Sequence, residues 1–465
     1  MDTESQTDQT QTQDITLSFP DAKTVEAALP TREVPGFATV EYHPETPVEN
    51  NSIEATQSAV DDLAESLSSV PTGGTIGVGL GSRGIHDIQT VAQITINELI
   101  NRGYDPIVIP AMGSHGGATP AGQRQTLAEI GLTEEILGCP IDAGMETTVI
   151  GETTRGHTVS VAQSAVDTDG IIVINRIKPH TNFTGHIESG LCKMLTVGLG
   201  KQAGAHAFHE TALTNGYVDT IERAFEIICD ATNVVGGIGI VENFHEQIAH
   251  ISGISIDDLP EAETSLLRRA KSYIPTLPFG DLDALIVEKI GKDISGAGMD
   301  TNVIGRYRVL NADDPETPAI SRVVALGLTE TTHGNGQGIG LADITTASVA
   351  SELDFKQTYT NALTSASVSK AHLPVVMPSE RHAVQAALGT IGQYDPQTVR
   401  IAWIRDTSQL SQFHLSTGLL PGIEATDSLE LKRRVELSFD DGIAQFDPVD
   451  EKRVSFDHSD RSSTQ

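Results

Sequence analysis

The densest run of reactive side chains is KPHTNFTGHIESGLCKMLTVGLGKQAGAHAFHETAL, where His180 is followed thirteen residues later by Lys193 and then by His206 and His209. Lys193 stands between Leu191, Cys192, Met194 and Leu195. An apolar setting lowers a lysine's pKa and frees the amine for covalent attachment to a cofactor. His206 and His209 are three apart on an expected helix and share a face, and neutral imidazoles suit a late first-row metal such as nickel. The competing reading, commoner for any one histidine, is a satisfied helix position.

Two shorter motifs carry groups of complementary chemistry. In GLGSRG, Arg83 follows the apolar run TIGVGLG in a glycine-rich turn that opens a helix. Glycines there let the backbone approach an anion, the helix start favours negative charge, and a guanidinium grips a carboxylate or phosphate with two hydrogen bonds. A plain surface arginine on a common turn is the alternative. In PAMGSHGGATP, His115 sits among Gly113, Gly116 and Gly117. Its near-neutral titration suits acid/base work, and the rival role is to cap the helix beginning at Ala118.

All three motifs follow runs that read as strands, and the carboxyl ends of parallel strands are where open α/β sheets deliver ligand-binding groups. The surrounding pattern alternates. SIEATQSAVDDLAESLSS, IQTVAQITINELINRG and ATPAGQRQTLAEIG read as helices, the last with Thr119 as N-cap and Pro120 in its first turn. TIGVGLG, DPIVIPAM, TTVIG, HTVSVAQS and GIIVINRI read as strands. GYVDTIERAFEIICDAT and ETSLLRRAKSYI are further helices, with strands NVVGGIGIVEN and EQIAHISGI between them. A second unit shows strands ALIVEKI, RVVALGL, LPVVM and RIAWIR, with helices around 340–352, 359–369 and 379–391.

The expected fold class is therefore α/β in two domains: an N-terminal doubly wound, largely parallel sheet and a second, smaller α/β domain, with the active site in the cleft between them. The expected boundaries are a polar, disordered tail over 1–14, a catalytic and cofactor-binding domain over 15–275, and a Pro-containing linker over 276–281. A C-terminal α/β domain then covers 282–430, a segment at 431–449 returns to the first domain, and 450–465 form a second disordered tail.

Composition narrows the class of function. With 63 acidic against 30 basic residues the formal charge is −33, which excludes general attraction to nucleic acid or anionic lipid. The acids are spread along the chain, as on surfaces that stay soluble in high salt, so a halophilic source is an expectation. Cys139, Cys192 and Cys229 form no CxxC pair, which argues against a zinc ribbon, a disulfide framework or an iron–sulfur cluster. No apolar run approaches the roughly 20 residues of a membrane span, and the N-terminus lacks a signal-peptide pattern; the expected location is the cytoplasm.

The order of Arg83, His115, His180, Lys193 and His209 resembles the lactate racemases that depend on a nickel-pincer nucleotide, a pyridinium mononucleotide whose thioacyl groups clamp nickel. The likeness is sharpest from about Val78 to Leu213. It implies that Arg83, with Gly81 and Ser82 beside it, contacts cofactor and substrate, that His115 and His180 are two proton donors and acceptors, and that Lys193 tethers the cofactor. It also implies that a histidine sixteen residues beyond that lysine binds nickel, which selects His209 over His206. The implied activity is racemisation or epimerisation of a 2-hydroxy acid through a transient 2-keto acid, by hydride transfer coupled to proton transfer. The implied partners are that small acid and the enzymes that make the cofactor.

The sequence departs from the family pattern at three places. Leu80 and Gly81 stand where an aspartate usually precedes the arginine. The interval from His180 to Lys193 is longer than usual and contains His186 and Glu188. The second-half substrate motif has no direct counterpart in GKDISGAGMDTNVIGR, where Lys292, Asp300, Asn302 and Arg306 are the candidate replacements. These departures point away from lactate itself as substrate. The nicotinamide-dehydrogenase reading fails because GLGSRG is not a GxGxxG fingerprint. A non-catalytic protein that binds or carries the nucleotide or its metal is the alternative function.

Overall fold

The computed structural model describes residues 17–82, 84–423 and 426–449. The expected tails at 1–14 and 450–465, and Arg83, lie outside the described residues. Among the described residues there are sixteen strands, beginning with β1 Phe37–Tyr42, β2 Thr75–Leu80, β3 Asp105–Pro110, β4 Thr147–Glu152, β5 Thr158–Ala162, β6 Gly170–Arg176, β7 Val234–Glu242 and β8 Ile248–Ser255. They continue as β9 Asp281–Val287, β10 Ala319–Ala325, β11 Ile344–Thr346, β12 Val375–Met377, β13 Ile401–Ile404, β14 Gln412–Ser416, β15 Leu429–Asp440 and β16 Ile443–Pro448.

The first sheet has the order β3-β2-β6-β7-β8. Its first four strands run parallel and β8 is antiparallel at the edge. Alternate residues of its central strand face opposite cores. Ile172 and Ile174 pack with Val78, Val91 and Ile96, while Ile171 and Val173 pack with Leu191, Phe208 and Ile221. That is the period-2 signature of a strand covered on both faces, as a doubly wound arrangement requires. β4 and β5, read from sequence as strands, form a separate antiparallel pair beside this sheet.

The second sheet is the wider one, with order β12-β11-β10-β9-β13-β14-β1-β15-β16. It is parallel from β12 to β13 and antiparallel from β14 onward. Leu285, Val323 and Ile404 enter one core, and Ile286, Val324 and Trp403 the other. The extra width comes from the two ends of the chain. β1, in the stretch assigned by sequence to the first unit, pairs with β14 and β15, and the segment 431–449 supplies most of β15 and β16 here rather than in the first sheet. Residues 274–280 carry no helix or strand and lead from the helix Glu261–Tyr273 to β9. Among the described residues no helix is long and apolar enough to cross a membrane.

Candidate active site

The motifs at the ends of β2, β3 and β6 meet one another. Beyond β3, Gly113, Gly116 and Gly117 all have positive φ, and Gly116 has a packing reason as well: a Cβ there would lie 2.5 Å from the backbone carbon of Gly122. This close turn lets Thr119 cap the helix Pro120–Glu129, its hydroxyl accepting from Gly122 N at 3.1 Å, with Pro120 in the first turn. His115 is exposed and makes no side-chain cap. Its Nδ1 instead lies 2.5 Å from Ser82 Oγ, which joins the β3 loop to the β2 turn.

Lys193 follows an abrupt turn at Gly190. Gly190 O accepts from Met194 N and from Asn175 Nδ2, both at 3.1 Å. A side chain at Gly190 would collide with the buried Glu263, whose Oε2 accepts from Cys192 N at 2.9 Å. Burial pushes the Glu263 carboxyl pKa up. After Lys193 the chain makes a π-helical turn over Met194–Gly198, then breaks at Lys201 (φ 52°) before the helix Lys201–Asn215. Such wide turns recur at functional sites. Gly81 faces this region: a Cβ on it would approach Met194 Cε at 3.1 Å. The wide turn is also docked on the β3 loop, Gly113 N donating to Gly198 O at 3.0 Å.

His206 and His209 lie on that helix as expected, and both are solvent-accessible. Protein nevertheless surrounds the His209 ring. Burial, and next the charges of Lys193 and His206, lower its pKa to about 4. The residue is exposed overall, so solvent tempers this shift, and its direction is toward a neutral, reachable imidazole. All three cysteines are in the opposite condition for chemistry, burial raising Cys139 to about 11, Cys229 to about 12, and Cys192 further still. Little thiolate forms at neutral pH, so they are weak nucleophiles.

His180 sits in a turn beyond β6. Its backbone N–H donates to Glu188 Oε2 at 2.6 Å, and Gly185 N donates to Oε1 at 3.0 Å. Glu188 is fully buried and pairs with Lys271 at 2.6 Å. Asn182 N donates to His180 Nδ1 at 3.0 Å, so the neutral ring carries its proton on Nε2. The ring lies 4.6 Å from that of Phe183, which stacks on Tyr217 at 4.7 Å; Tyr217 meets Phe208, and Phe208 meets His209. A continuous aromatic chain thus connects the His180 turn to the His209 helix.

A cavity of about 1000 Å³ separates the two sheets beside this turn. Its walls include Lys178, Pro179 and Thr181 from one side and Lys292, Asp300 and Asn302 from the other, whereas Ser82, His115, His180, Lys193 and His209 are not among them. Lys292 Nζ donates to Gly296 O and Asn361 Oδ1. Asp300 caps a short helix through Asn302 N, and burial raises its carboxyl pKa. Arg306 is a correction to the sequence reading. It is buried, its guanidinium is committed to Leu341 O, Ile320 O and Asp343, and it does not line the cavity, so it braces β10 and β11 instead of facing a substrate.

Sequence reasoning passed over several supporting groups. Glu188 was visible only as an extra acid in the His180 to Lys193 interval. Lys201 is fully buried, with Nζ donating to Pro110 O (2.9 Å) and Gln123 Oε1 (3.1 Å), and Gln123 Nε2 donates onward to Gly113 O at 3.0 Å. Burial lowers the Lys201 pKa to about 8. A lysine's destination inside the fold has no local sequence signal, but the unusual φ makes Lys201 identifiable once the backbone is known.

The fold is thus a two-sheet α/β protein whose strand-end loops gather histidines, a lysine and a glycine-rich turn around the end of the first sheet. Residues 83–219 match the family model described as the lactate racemase N-terminal domain, so the likeness to lactate racemases is borne out over the segment that carries His115, His180, Lys193 and His209. No curated protein matches the chain. Among solved structures, the lactate racemase apoprotein from Thermoanaerobacterium thermosaccharolyticum is similar at 12% identity and a TM-score of 0.43, covering 80% of this chain and 89% of that one. The functional reading rests on the family match and the site, and not on that structural score.

Proposed function

We propose that this protein is a racemase or epimerase of a 2-hydroxy acid that works with a nickel-pincer nucleotide. The observation that carries the reading is the match of residues 83–219, which contain His115, His180, Lys193 and His209, to the lactate racemase N-terminal domain, with the Lys193 charge helping to keep His209 neutral. An amine nucleophile and an unprotonated imidazole are what a tethered organic nickel ligand requires of the protein. The residues present fit it: Lys193 would hold it covalently, Arg83, Gly81 and Ser82 would contact it, and His209, with His206 one turn away, would ligate nickel.

When bound, the nucleotide supplies a carbon that accepts the α-hydrogen as hydride and returns it, because that hydrogen is too weakly acidic for a histidine to remove as a proton. The protein's share is proton transfer at the hydroxyl oxygen and control of the substrate. One of His115 and His180 takes the hydroxyl proton, and the other supplies a proton when the transient 2-keto acid is reduced on its opposite face. Lys292, Asp300 and Asn302 are the candidate groups that hold the substrate from the second sheet.

The test uses protein co-expressed with the cofactor-synthesis enzymes and single-enantiomer 2-hydroxy acids, with the chirality of the product read by chiral chromatography. Racemisation that disappears in both His115→Ala and His180→Ala is expected. Full turnover in either variant would remove the two-base assignment. Nickel and nucleotide binding without turnover on any 2-hydroxy acid would favour a carrier of the cofactor.

A further inference from the structure

The His180 turn belongs to the first sheet, but residues from the second sheet's side hold it. Thr301 Oγ1 donates to Thr181 O at 2.9 Å, and Asn302 Nδ2 reaches His180 O at 3.5 Å. The buried Tyr307 hydroxyl lies 3.1 Å from both Thr184 Oγ1 and Asn302 Oδ1. Lys370 is the most demanding member of this clasp. It is 2% exposed, and its Nζ donates to Asn182 Oδ1 at 2.8 Å and to Thr181 O at 3.3 Å.

Burying an ammonium costs several kcal/mol unless hydrogen bonds or opposite charge offset it. Here both acceptors are neutral, and both belong to one two-residue turn almost 190 positions earlier in the chain. The cost is visible in titration: burial lowers the Lys370 pKa to about 8, with Lys292 acting in the same direction and Asp314 against it. A methionine of similar length would fill the space without that penalty, so packing alone does not account for a lysine. What the turn does is specific. Its Asn182 N–H is the donor to His180 Nδ1.

We propose that Lys370 is a positioning residue for His180. By gripping the Thr181 carbonyl and the Asn182 side-chain oxygen, it fixes the turn whose Asn182 N–H selects the Nε2-protonated tautomer of His180. The inference rests on His180 being an acid/base, but the positioning itself can be measured without turnover. It gives the second half of the chain a share in the chemistry of the first, because a base must present the correct nitrogen before it can act.

The experiment is 15N NMR of the full-length apoprotein with labelled histidine, the His180 signals being assigned by their loss in His180→Gln. In the wild type, Nδ1 should resonate as an unprotonated ring nitrogen and Nε2 as a protonated one. Lys370→Met should move both resonances toward the average of two exchanging tautomers. Asn182→Ala, which removes one acceptor and leaves the backbone N–H, should shift them in the same sense and serves as the deciding variant if Lys370→Met does not fold. A lysine that only ties the two halves together would change the melting temperature and leave the His180 nitrogens where they were. Unchanged signals in folded Lys370→Met, or in Asn182→Ala where that variant decides, overturn the proposal. Full turnover in His180→Ala would instead remove the acid/base role of His180 and leave the tautomer result standing.

Discussion

At the scale of single residues, the site is assembled from ordinary side chains whose surroundings select one protonation state. His209 shows this most clearly. A free histidine titrates near 6.5, but here burial, then Lys193 and His206, hold the ring neutral down to about pH 4. The sign follows directly. Protons compete with nickel for the imidazole only near and below the folded-state pKa, and bound metal resists them further, so acid loss of the metal belongs at about pH 4 or lower and not near 6.5. Nickel retained by the loaded protein, measured after dialysis at a series of pH values, should stay level from about pH 8 to about pH 5 and fall below that. His209→Ala should lose most of its nickel, while His206→Ala should keep it. Release with a midpoint near 6.5, or equal losses in the two variants, would place the ligand elsewhere.

At the scale of elements, the site depends on turns that only certain residues can make. Gly116 combines φ of 66° with backbone of Gly122 where a Cβ would go. Gly116→Ala should therefore destabilise the protein by about 1–3 kcal/mol and displace His115, lowering turnover more than substrate binding; urea denaturation and steady-state kinetics measure the two. Stability and kcat both at wild-type level would mean that the loop does not hold His115. The same elements show how far the sequence was legible. The turn after β3 could be read, cap included, because Thr119 and Pro120 act on their immediate neighbours. β2, β3, β6 and β7 were legible as apolar runs because both faces are buried. β15 was not: only Leu429, Val435 and Leu437 of its twelve residues are buried, and the charged remainder hides the alternation. β1 looked like part of the first unit because nothing local tells a strand which distant edge it will join. Arg306 was misread for a related reason, since a buried arginine bonded to backbone oxygens and a substrate-binding arginine are identical in a one-dimensional chain. Lys201 and Lys370 matter through partners 78 to 189 residues away, and Glu188 through Lys271 as well as its own turn, beyond any local spacing argument.

At the scale of the whole molecule, two properties set the behaviour. The first is charge. A net −33 on 465 residues makes the folded state repel itself, and salt screens that repulsion over about 10 Å at 0.1 M and about 3 Å at 1 M. The melting temperature should rise steeply as KCl increases from low concentration toward roughly 1 M; a melting curve indifferent to salt would mean that the acids are spaced widely enough to be harmless. The second is the division of labour between the sheets. The first carries His115, His180, Lys193 and His209 beyond its strands, and the second helps wall a cavity beside the His180 turn and clasps that turn through Thr301, Asn302, Tyr307 and Lys370.

In the proposed function Lys193 and His209 together hold a nickel-bearing nucleotide. The most direct measurement is intact-protein mass with nickel content on protein co-expressed with the cofactor-synthesis enzymes, followed by peptide mapping. The expected result is an added mass on the peptide containing Lys193, near-stoichiometric nickel, and loss of the adduct in Lys193→Ala. Protein carrying neither adduct nor nickel after that co-expression would contradict it.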